Sequence, residues 1–328
     1  MEFCSLDGWE QKAYNPACVD RTNTLGEGTV AVMPRYFLLW FLVAILAAGC
    51  TSTIAKREAG HAFRDCSDCP ELVVVIPEAG APAGLSDGIA VGRYEVTRDE
   101  FAAFEKDQQI PSVRCFFSFD VRDIMKFDRM TRLTPGLGAY RPSGRDPAIC
   151  VSWIEAQGFV EWLSRKTGQK YRLPSERELQ FLEMKDATTR FAWGDQTSDA
   201  CLYANGLDRT AASQDWATNP QLDLLEYLPT RRGVLDCADG AAYTAPVGSY
   251  EPNTYGLYDT IGNVWEWTAD CVTDEKLWPE GSYYPPCIAR GGGWQSSPAD
   301  LSNQGQREEL SAEHPVDVGF RVMRLISD

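Results

Sequence analysis

Apolar and polar positions follow two different periods along the chain, and together they predict strands and three helices. The β-branched run LVVVI at residues 72–76 is typical of a strand. Apolar residues recur at helical spacing after Thr97, Ser152 and Ser175, and each of these residues is followed three positions later by Glu, which is the spacing of a capping box. The third helix is predicted to run to about Asp186.

Regular patterns become rare in the second half of the sequence. Beyond residue 190, short apolar pieces are separated by turn residues, and we find no tandem repeat. Residues 111–149 are rich in Arg, Phe, Pro and Gly and are interpreted as a long insertion loop. A few helices followed by many short strands indicate the α+β class, with one loop-rich domain expected over residues 71–328.

A targeting segment precedes this domain. Residues 33–50 read MPRYFLLWFLVAILAAGC, whose apolar run is shorter than the roughly 20 residues of a membrane span and is typical of a signal peptide. The ending LAAGC resembles a bacterial lipobox, so Cys50 is predicted to carry lipid. We therefore expect a start-site extension at 1–32, a signal peptide at 33–49 and a lipidated tether at 50–70. The alternative is an uncleaved signal anchor.

This signal places the protein in the bacterial cell envelope, held to a membrane by its lipid. Because Thr51 rather than Asp follows the anchor cysteine, we expect the outer membrane, with the domain facing the periplasm or the exterior. The formal net charge of −16 argues against nucleic acid as a partner, since phosphate contacts need clustered Lys and Arg.

Export to an oxidising compartment favours disulfide bonds between the cysteines. Apart from Cys4, Cys18 and Cys50, eight of the 11 cysteines remain, and an even number in an exported chain predicts disulfides. Sequence does not choose the connectivity. We expect neighbours in sequence to pair, which gives Cys66 with Cys69, Cys115 with Cys150, Cys201 with Cys237, and Cys271 with Cys287. A redox or metal pair is the alternative for Cys66 and Cys69.

The stretch DTIGNVWEW at residues 259–267 is the densest candidate for chemistry. Gly262 and Asn263 favour a turn with positive φ. Calcium prefers carboxylate, amide and carbonyl oxygens, and this turn offers two carboxylates and two carbonyls at Asp259, Gly262, Val264 and Glu266. The indoles of Trp265 and Trp267 are expected in the core.

A set of motifs resembles the formylglycine-generating enzyme family, also called the sulfatase-modifying-factor family. GRYEVTRDEF, FAWGD, TAPVGSY, YGLYDTIGNVWEW, ARGGGW and VGFRVMR occur in the family's order over residues 71–325. The resemblance implies a fold related to C-type lectin domains, sparse in regular structure and stabilised by calcium. It assigns one calcium site to the DTIGNVWEW turn and another to Asn205, Gly206, Asp239 and Ala241, with turn capping as the alternative for Asn205 and Asp239.

The catalytic positions of the family differ in this chain. The oxidases of the family carry two cysteines after the RGG motif, where a thiolate pair holds copper(I). Here the corresponding residues are Ser296 and Leu301, and no cysteine follows them. No copper is therefore expected. With only two histidines, His61 and His314, the chain has too few for a 2-His-1-carboxylate iron site, and a Ser-His-acid triad is not expected either.

These observations lead to two functional hypotheses. The first is a membrane-anchored, calcium-stabilised binding or assembly module without enzymatic activity, whose partner is an envelope protein, peptide or polymer. The alternative is an oxidoreductase of the same family acting on an unidentified substrate. Bound copper or iron in the purified protein distinguishes the second hypothesis from the first.

Overall fold

The computed structural model describes residues 58–77, 81–82, 85, 88–111, 114–115, 127–128, 142–183, 189–213 and 233–326. The chain divides into units Met1–Ser52 and Thr53–Asp328, and every described residue belongs to the second. The predicted start-site extension, signal peptide and Cys50 lie outside the described residues, as does most of the insertion at 111–149. Among the described residues, no helix is long and apolar enough to cross a membrane.

The three predicted helices are present and begin at their predicted caps. They are α1 (Arg98–Gln108), α2 (Trp153–Thr167) and α3 (Glu176–Glu183), followed by the short helices α4 (Ala200–Tyr203) and α5 (Arg209–Ala212) and by 3-10 turns at Thr197–Asp199 and Glu275–Leu277. Reciprocal capping bonds join Thr97 to Glu100 and Ser152 to Glu155. The capping residues therefore set where the helices start.

The described strands form three sheets. The strands are β1 (Ala62–Phe63), β2 (Leu72–Val75), β3 (Ile89–Gly92), β4 (Arg114–Cys115), β5 (Phe127–Asp128), β6 (Tyr171–Arg172), β7 (Trp265–Cys271), β8 (Pro286–Arg290), β9 (Gln306–Leu310), β10 (Val318–Gly319) and β11 (Met323–Leu325). Their orders are β1-β2-β3-β11-β6, β10-β7-β8-β9 and β4-β5. Few helices and short strands in mixed sheets confirm the α+β, loop-rich prediction.

Helices α1 and α2 pack an aromatic core against the sheets. Phe101 and Phe104 of α1 meet Phe159 of α2 with ring centroids 5.9 and 5.6 Å apart. The predicted burial of both tryptophans is confirmed, because Trp265 and Trp267 are 3% and 0% exposed within the same cluster. Their indoles therefore contribute to the core.

Folded structure begins earlier than the predicted boundary at residue 71. We call residues 58–70 the N-terminal strap. Within it, β1 pairs antiparallel with β2, and the carboxylate of Asp65 accepts hydrogen bonds from Arg324 at 2.9 Å and from the Tyr171 hydroxyl at 2.5 Å. The strap was assigned to the tether because its polar sequence gives no sign of these contacts, and the partners of Asp65 lie more than a hundred positions away.

The disulfides follow the predicted order of neighbours. The pairs Cys66–Cys69, Cys201–Cys237 and Cys271–Cys287 are present. Cys150 is also disulfide-bonded, whereas the side chain of Cys115 lies outside the part that the structure describes.

Candidate functional site

The DTIGNVWEW turn and the RGG motif meet at one end of the second sheet. β7 begins inside this stretch, at Trp265, and β8 ends just before Gly291; because the two strands are antiparallel, both motifs lie at the same end. The amide of Gly262 donates to the carbonyl of Gly291 at 2.8 Å, and the amide of Trp294 donates to the carbonyl of Asn263 at 2.9 Å. Topology thus brings two distant motifs into one site.

The turn has the left-handed backbone that its sequence predicts. Asp259, Gly262 and Asn263 have φ values of 54°, 83° and 63°. A side chain at Gly262 would also collide with its surroundings, because a Cβ there would lie 2.4 Å from the carbonyl oxygen of Asn205. Gly262 therefore permits the close approach between the two segments proposed to bind calcium.

Glu266 forms a buried ion pair with Arg321, just after β10. Arg321 Nε lies 2.9 and 2.7 Å from the two carboxylate oxygens of Glu266, and both side chains are almost fully buried. Burial raises the pKa of Glu266, while the Arg321 charge opposes that rise. The guanidinium therefore balances the negative charge that was predicted to bind calcium.

Glu95 is a second buried carboxylate at the turn. Its oxygens accept from Asn263 Nδ2 at 2.7 Å and from the amide of Val264 at 3.1 Å. Burial raises the pKa of Glu95 well above its usual range, and the nearby charges of Asp259 and Glu266 raise it further. Three buried carboxylates, those of Glu95, Asp259 and Glu266, thus lie near the single guanidinium of Arg321.

Two buried side-chain oxygens at the predicted calcium positions find no hydrogen-bond donor among the described residues. They are Asp259 Oδ1 and Asn205 Oδ1. The other oxygen of Asp259 accepts from the Gly248 amide at 2.7 Å, and Asn205 Nδ2 donates to the Tyr243 carbonyl at 2.7 Å. Because a buried polar atom without a partner is costly, both oxygens are suited to an additional cation or donor.

Asp239 lies beside another carboxylate, Asp208. Its oxygens accept from the Ala241 amide at 2.7 Å and from the Tyr250 hydroxyl at 2.9 Å, while its own amide donates to Asp208 Oδ2 at 2.6 Å. Burial, together with the charge of Asp208, raises the pKa of Asp239 to about 6. Burial likewise raises the pKa of Asp259 to about 6. At neutral pH both positions therefore hold costly negative charge.

The donor chemistry fits calcium better at some predicted positions than at others. Asn205, Asp239 and Asp259 offer hard oxygens in an electronegative setting, as calcium requires. Glu266 fits less well, because Arg321 already binds both of its oxygens. No group of three or more His, Cys, Asp or Glu side chains is placed to hold a metal within the described ranges, so any site there would depend on amide and carbonyl oxygens.

The two positions that hold copper in the oxidases lie side by side. A Cβ placed on Gly292 would come within 3.3 Å of Ser296 Cβ and 2.8 Å of Leu301 Cδ2. The Ser296 hydroxyl accepts from the Gly293 amide at 2.9 Å. Leu301 is fully buried in an apolar cluster with Ala204, Leu235 and Ile261. The two positions therefore carry a hydroxyl group that already accepts a hydrogen bond and an aliphatic side chain.

His314 lies beside the carboxylate that caps α2. Its Nε2 lies 3.1 Å from a carboxylate oxygen of Glu155, which also caps α2. His61 is exposed in the N-terminal strap.

Comparison with known proteins identifies the family. Residues 78–326 match the family model described as "Sulfatase-modifying factor enzyme 1-like domain". The chain belongs to this family. Among solved structures, PvdO from Pseudomonas aeruginosa aligns with 82% of this chain and 99% of its own, with a TM-score of 0.60 and 26% identity.

Curated relatives of the sulfatase-modifying-factor family include both active and inactive proteins by name. The formylglycine-generating enzyme of Streptomyces coelicolor is 32% identical over 139 residues, which cover 42% of this chain and 34% of that enzyme. "Inactive C-alpha-formylglycine-generating enzyme 2" of Bos taurus is 31% identical over 137 residues, which cover 41% of this chain and 36% of that protein. The matched segments thus span little more than a third of these relatives.

Sequence reasoning missed several residues of the site. Arg321, Glu95 and Asp208 were not assigned to it, although each contacts a predicted position. Arg321 and Glu95 belong to the quoted motifs VGFRVMR and GRYEVTRDEF, and this place in the motifs was the available signal. Their partners lie 55 and 168 positions away and could not be inferred from spacing.

Proposed function

We propose that this member of the sulfatase-modifying-factor family lacks the copper oxidase centre and is a calcium-stabilised binding or assembly module of the bacterial cell envelope. The observation that carries the proposal is the state of the thiols. Every cysteine whose side chain the structure describes is disulfide-bonded. No described cysteine is therefore available as a thiolate ligand.

The residues at the oxidase positions support the same conclusion. Copper(I) is a soft ion that is bound by thiolate and thioether ligands. Ser296 offers a hydroxyl that already accepts a backbone hydrogen bond, and Leu301 offers no lone pair at all. Neither side chain can therefore supply the soft ligand that copper(I) needs.

The range of relatives is compatible with a change of activity inside one fold. One relative of similar identity is an enzyme by name and another is described as inactive. Fold and overall sequence identity therefore do not decide whether a member of this family is active. Activity has to be argued from the residues at the site.

We assign calcium a structural role in this proposal. Asn205 and Asp239, with the carbonyls of Gly206 and Ala241, would hold one ion, and Asp259, with the carbonyls of Gly262 and Val264, would contribute to another. A bound cation would neutralise buried carboxylates whose pKa values are raised to about 6. Calcium would compensate the negative charge of these carboxylates and would hold the loops between α4 and β7 in place.

Attachment to the membrane follows from the sequence rather than from the described structure. A lipid on Cys50 would leave residues 51–57 before the first described residue of the N-terminal strap. An envelope protein, peptide or polymer is the class of partner within reach.

The oxidase assay tests the proposal. The purified chain is supplied with copper(I), reductant, oxygen and a sulfatase peptide that contains the target cysteine, and mass spectrometry follows loss of that thiol. A formylglycine-generating enzyme such as that of Streptomyces coelicolor is the positive control. We expect no conversion above the protein-free control. Multiple turnovers by this chain would instead establish the alternative, an oxidoreductase of the same family.

A further inference from the structure

The disulfide Cys66–Cys69 closes a local turn of the N-terminal strap. The Cα atoms are 5.0 Å apart, and the Cys69 amide already donates to the Cys66 carbonyl at 3.3 Å. The disulfides Cys201–Cys237 and Cys271–Cys287, in contrast, join residues 36 and 16 positions apart. Stabilisation by a cross-link grows with the loop it closes, so Cys66–Cys69 contributes the least of the three.

The strap has other attachments that do not depend on this disulfide. β1 pairs with β2, and Asp65 binds Arg324 through both carboxylate oxygens at 2.9 and 3.1 Å. Lys166 Nζ lies 2.6 Å from Asp68 Oδ2. Opening the disulfide would therefore leave the strap in place, which a reversible reaction requires.

The two sulfurs differ in exposure and in surroundings. Cys69 is 1% exposed, whereas Cys66 is partly exposed and is followed by exposed Ser67 and Asp68. Arg64 donates to the Cys69 carbonyl at 2.5 Å, which brings a positive charge to the buried cysteine. A cation near a leaving thiolate stabilises it. An incoming thiolate would therefore attack Cys66, and Cys69 would leave.

In the reduced state, the Cys66 thiol would have a hydrogen-bond acceptor beside it. Asp68 Oδ1 lies 3.2 Å from Cys66 Sγ, where it can accept a hydrogen bond from the thiol. The hydrogen bond from Lys166 lowers the pKa of Asp68, so this acceptor stays ionised. Both oxidation states of the pair are thus accommodated by the same surroundings.

We propose that Cys66–Cys69 is a thiol–disulfide exchange site that accepts two electrons from a partner dithiol. A partner thiolate attacks Cys66 Sγ, the Cys66–Cys69 bond breaks, and Cys69 leaves as a thiolate that takes up a proton. The second partner thiolate then attacks the mixed disulfide, which releases Cys66 and leaves the partner oxidised. Two thiols are formed and one disulfide is transferred, with no other oxidant. The proposal uses neither the calcium nor the copper positions.

Selective reduction is the first test. The folded full chain is treated with dihydrolipoate, a dithiol, and free thiols are alkylated and mapped by mass spectrometry over time. We expect Cys66 and Cys69 to be alkylated at least tenfold faster than Cys201, Cys237, Cys271 and Cys287. Reduction of Cys66–Cys69 no faster than the other two mapped pairs would overturn the proposal.

Matched single substitutions test the direction of attack. In Cys69→Ser, the remaining Cys66 thiol should form a mixed disulfide with 5,5′-dithiobis(2-nitrobenzoate) at least tenfold faster than the remaining Cys69 thiol in Cys66→Ser, because Cys66 is partly exposed and Cys69 is 1% exposed, and access outweighs the charges that favour the Cys69 thiolate. Asp68→Asn in the Cys69→Ser background should increase that rate further, since removal of the carboxylate lowers the pKa of the Cys66 thiol. Equal rates for the two single variants, with unchanged melting temperatures, would contradict the assigned order.

Discussion

Arg321 Nε lies 2.7 Å from Glu266 Oε2, and this buried pair connects the closing GFR motif to the WEW motif. Arg321 also donates to the carbonyls of Gly92 and Tyr258, both at 3.0 Å. A single side chain thus joins β3, the turn before β7 and β7 itself. The direct pairing explains why these two charged side chains can both be buried.

Breaking this pair should destabilise the domain whether or not calcium is present. Glu266→Gln leaves the Arg321 charge buried and unpaired, which costs about 3–5 kcal/mol of unfolding free energy. The exposed pair Arg165–Glu161 supplies the control, because Glu161→Gln should cost less than about 1 kcal/mol. Urea denaturation with calcium and with a chelator measures both. A loss confined to the calcium sample would make Glu266 a calcium ligand instead.

Asp239→Asn should abolish the stabilisation that added calcium gives through the proposed site at Asn205, Gly206, Asp239 and Ala241. A ligand at 100 times its Kd stabilises the native state by about 2.7 kcal/mol, which appears as a higher melting temperature. Without calcium, Asp239→Asn should melt no lower than the wild type, since it removes repulsion with Asp208. Asp236→Asn, at an exposed aspartate nearby, is the control. A full calcium response in Asp239→Asn would exclude that aspartate as a ligand.

Glu178 should make stability depend on pH in the acidic range. Burial is the largest influence and raises its pKa, but the hydrogen bonds from Arg172 at 2.6 and 2.7 Å, the hydrogen bond from the Ser175 amide at 2.7 Å and the Arg172 charge together outweigh burial, so its pKa lies below the usual value. Its contribution is therefore present above the unfolded pKa, about 4.3, and is lost as pH falls through the folded pKa. Glu178→Gln should cost about 1 kcal/mol at pH 7 and progressively less as the pH falls below about 4.3. A cost that stays the same as the pH falls would refute this assignment.

Cys50→Ser should release the protein from bacterial membranes. Lipid attachment requires the thiol, whereas an uncleaved signal anchor does not. Fractionation of cells that express the wild type or the variant checks the prediction. Persistent membrane association of Cys50→Ser would support the signal-anchor alternative.

The sequence predicted the helices and the disulfides well because their signals are local. Thr97 with Glu100 and Ser152 with Glu155 form capping bonds across three positions. Cys271 and Cys287 lie on adjacent strands of one hairpin, so neighbours in sequence are neighbours in space. The turn geometry at Gly262 and Asn263 is local in the same sense.

The contacts that complete the site could not be predicted in this way. Glu95 reaches Asn263 across 168 positions, and Asp65 reaches Arg324 across 259. Such pairs depend on sheet order, since β11 lies between β3 and β6. The polar strap therefore resembled a tether, and Glu266 resembled a calcium ligand without any sign of its arginine partner.

Copper(I) titration of the purified chain shows whether this domain lacks the copper centre of the oxidases. The wild type and the double variant Ser296→Cys/Leu301→Cys, both in a Cys66→Ser/Cys69→Ser background so that the exchange site cannot bind copper, are titrated against a competing copper(I) chelator, with melting temperatures as a check on folding. Because Ser296 and Leu301 lie against the same glycine, the account predicts no uptake by the wild type and about one copper(I) per chain in the double variant. Stoichiometric copper(I) bound by the wild type would contradict the claim that this domain lacks the oxidase centre.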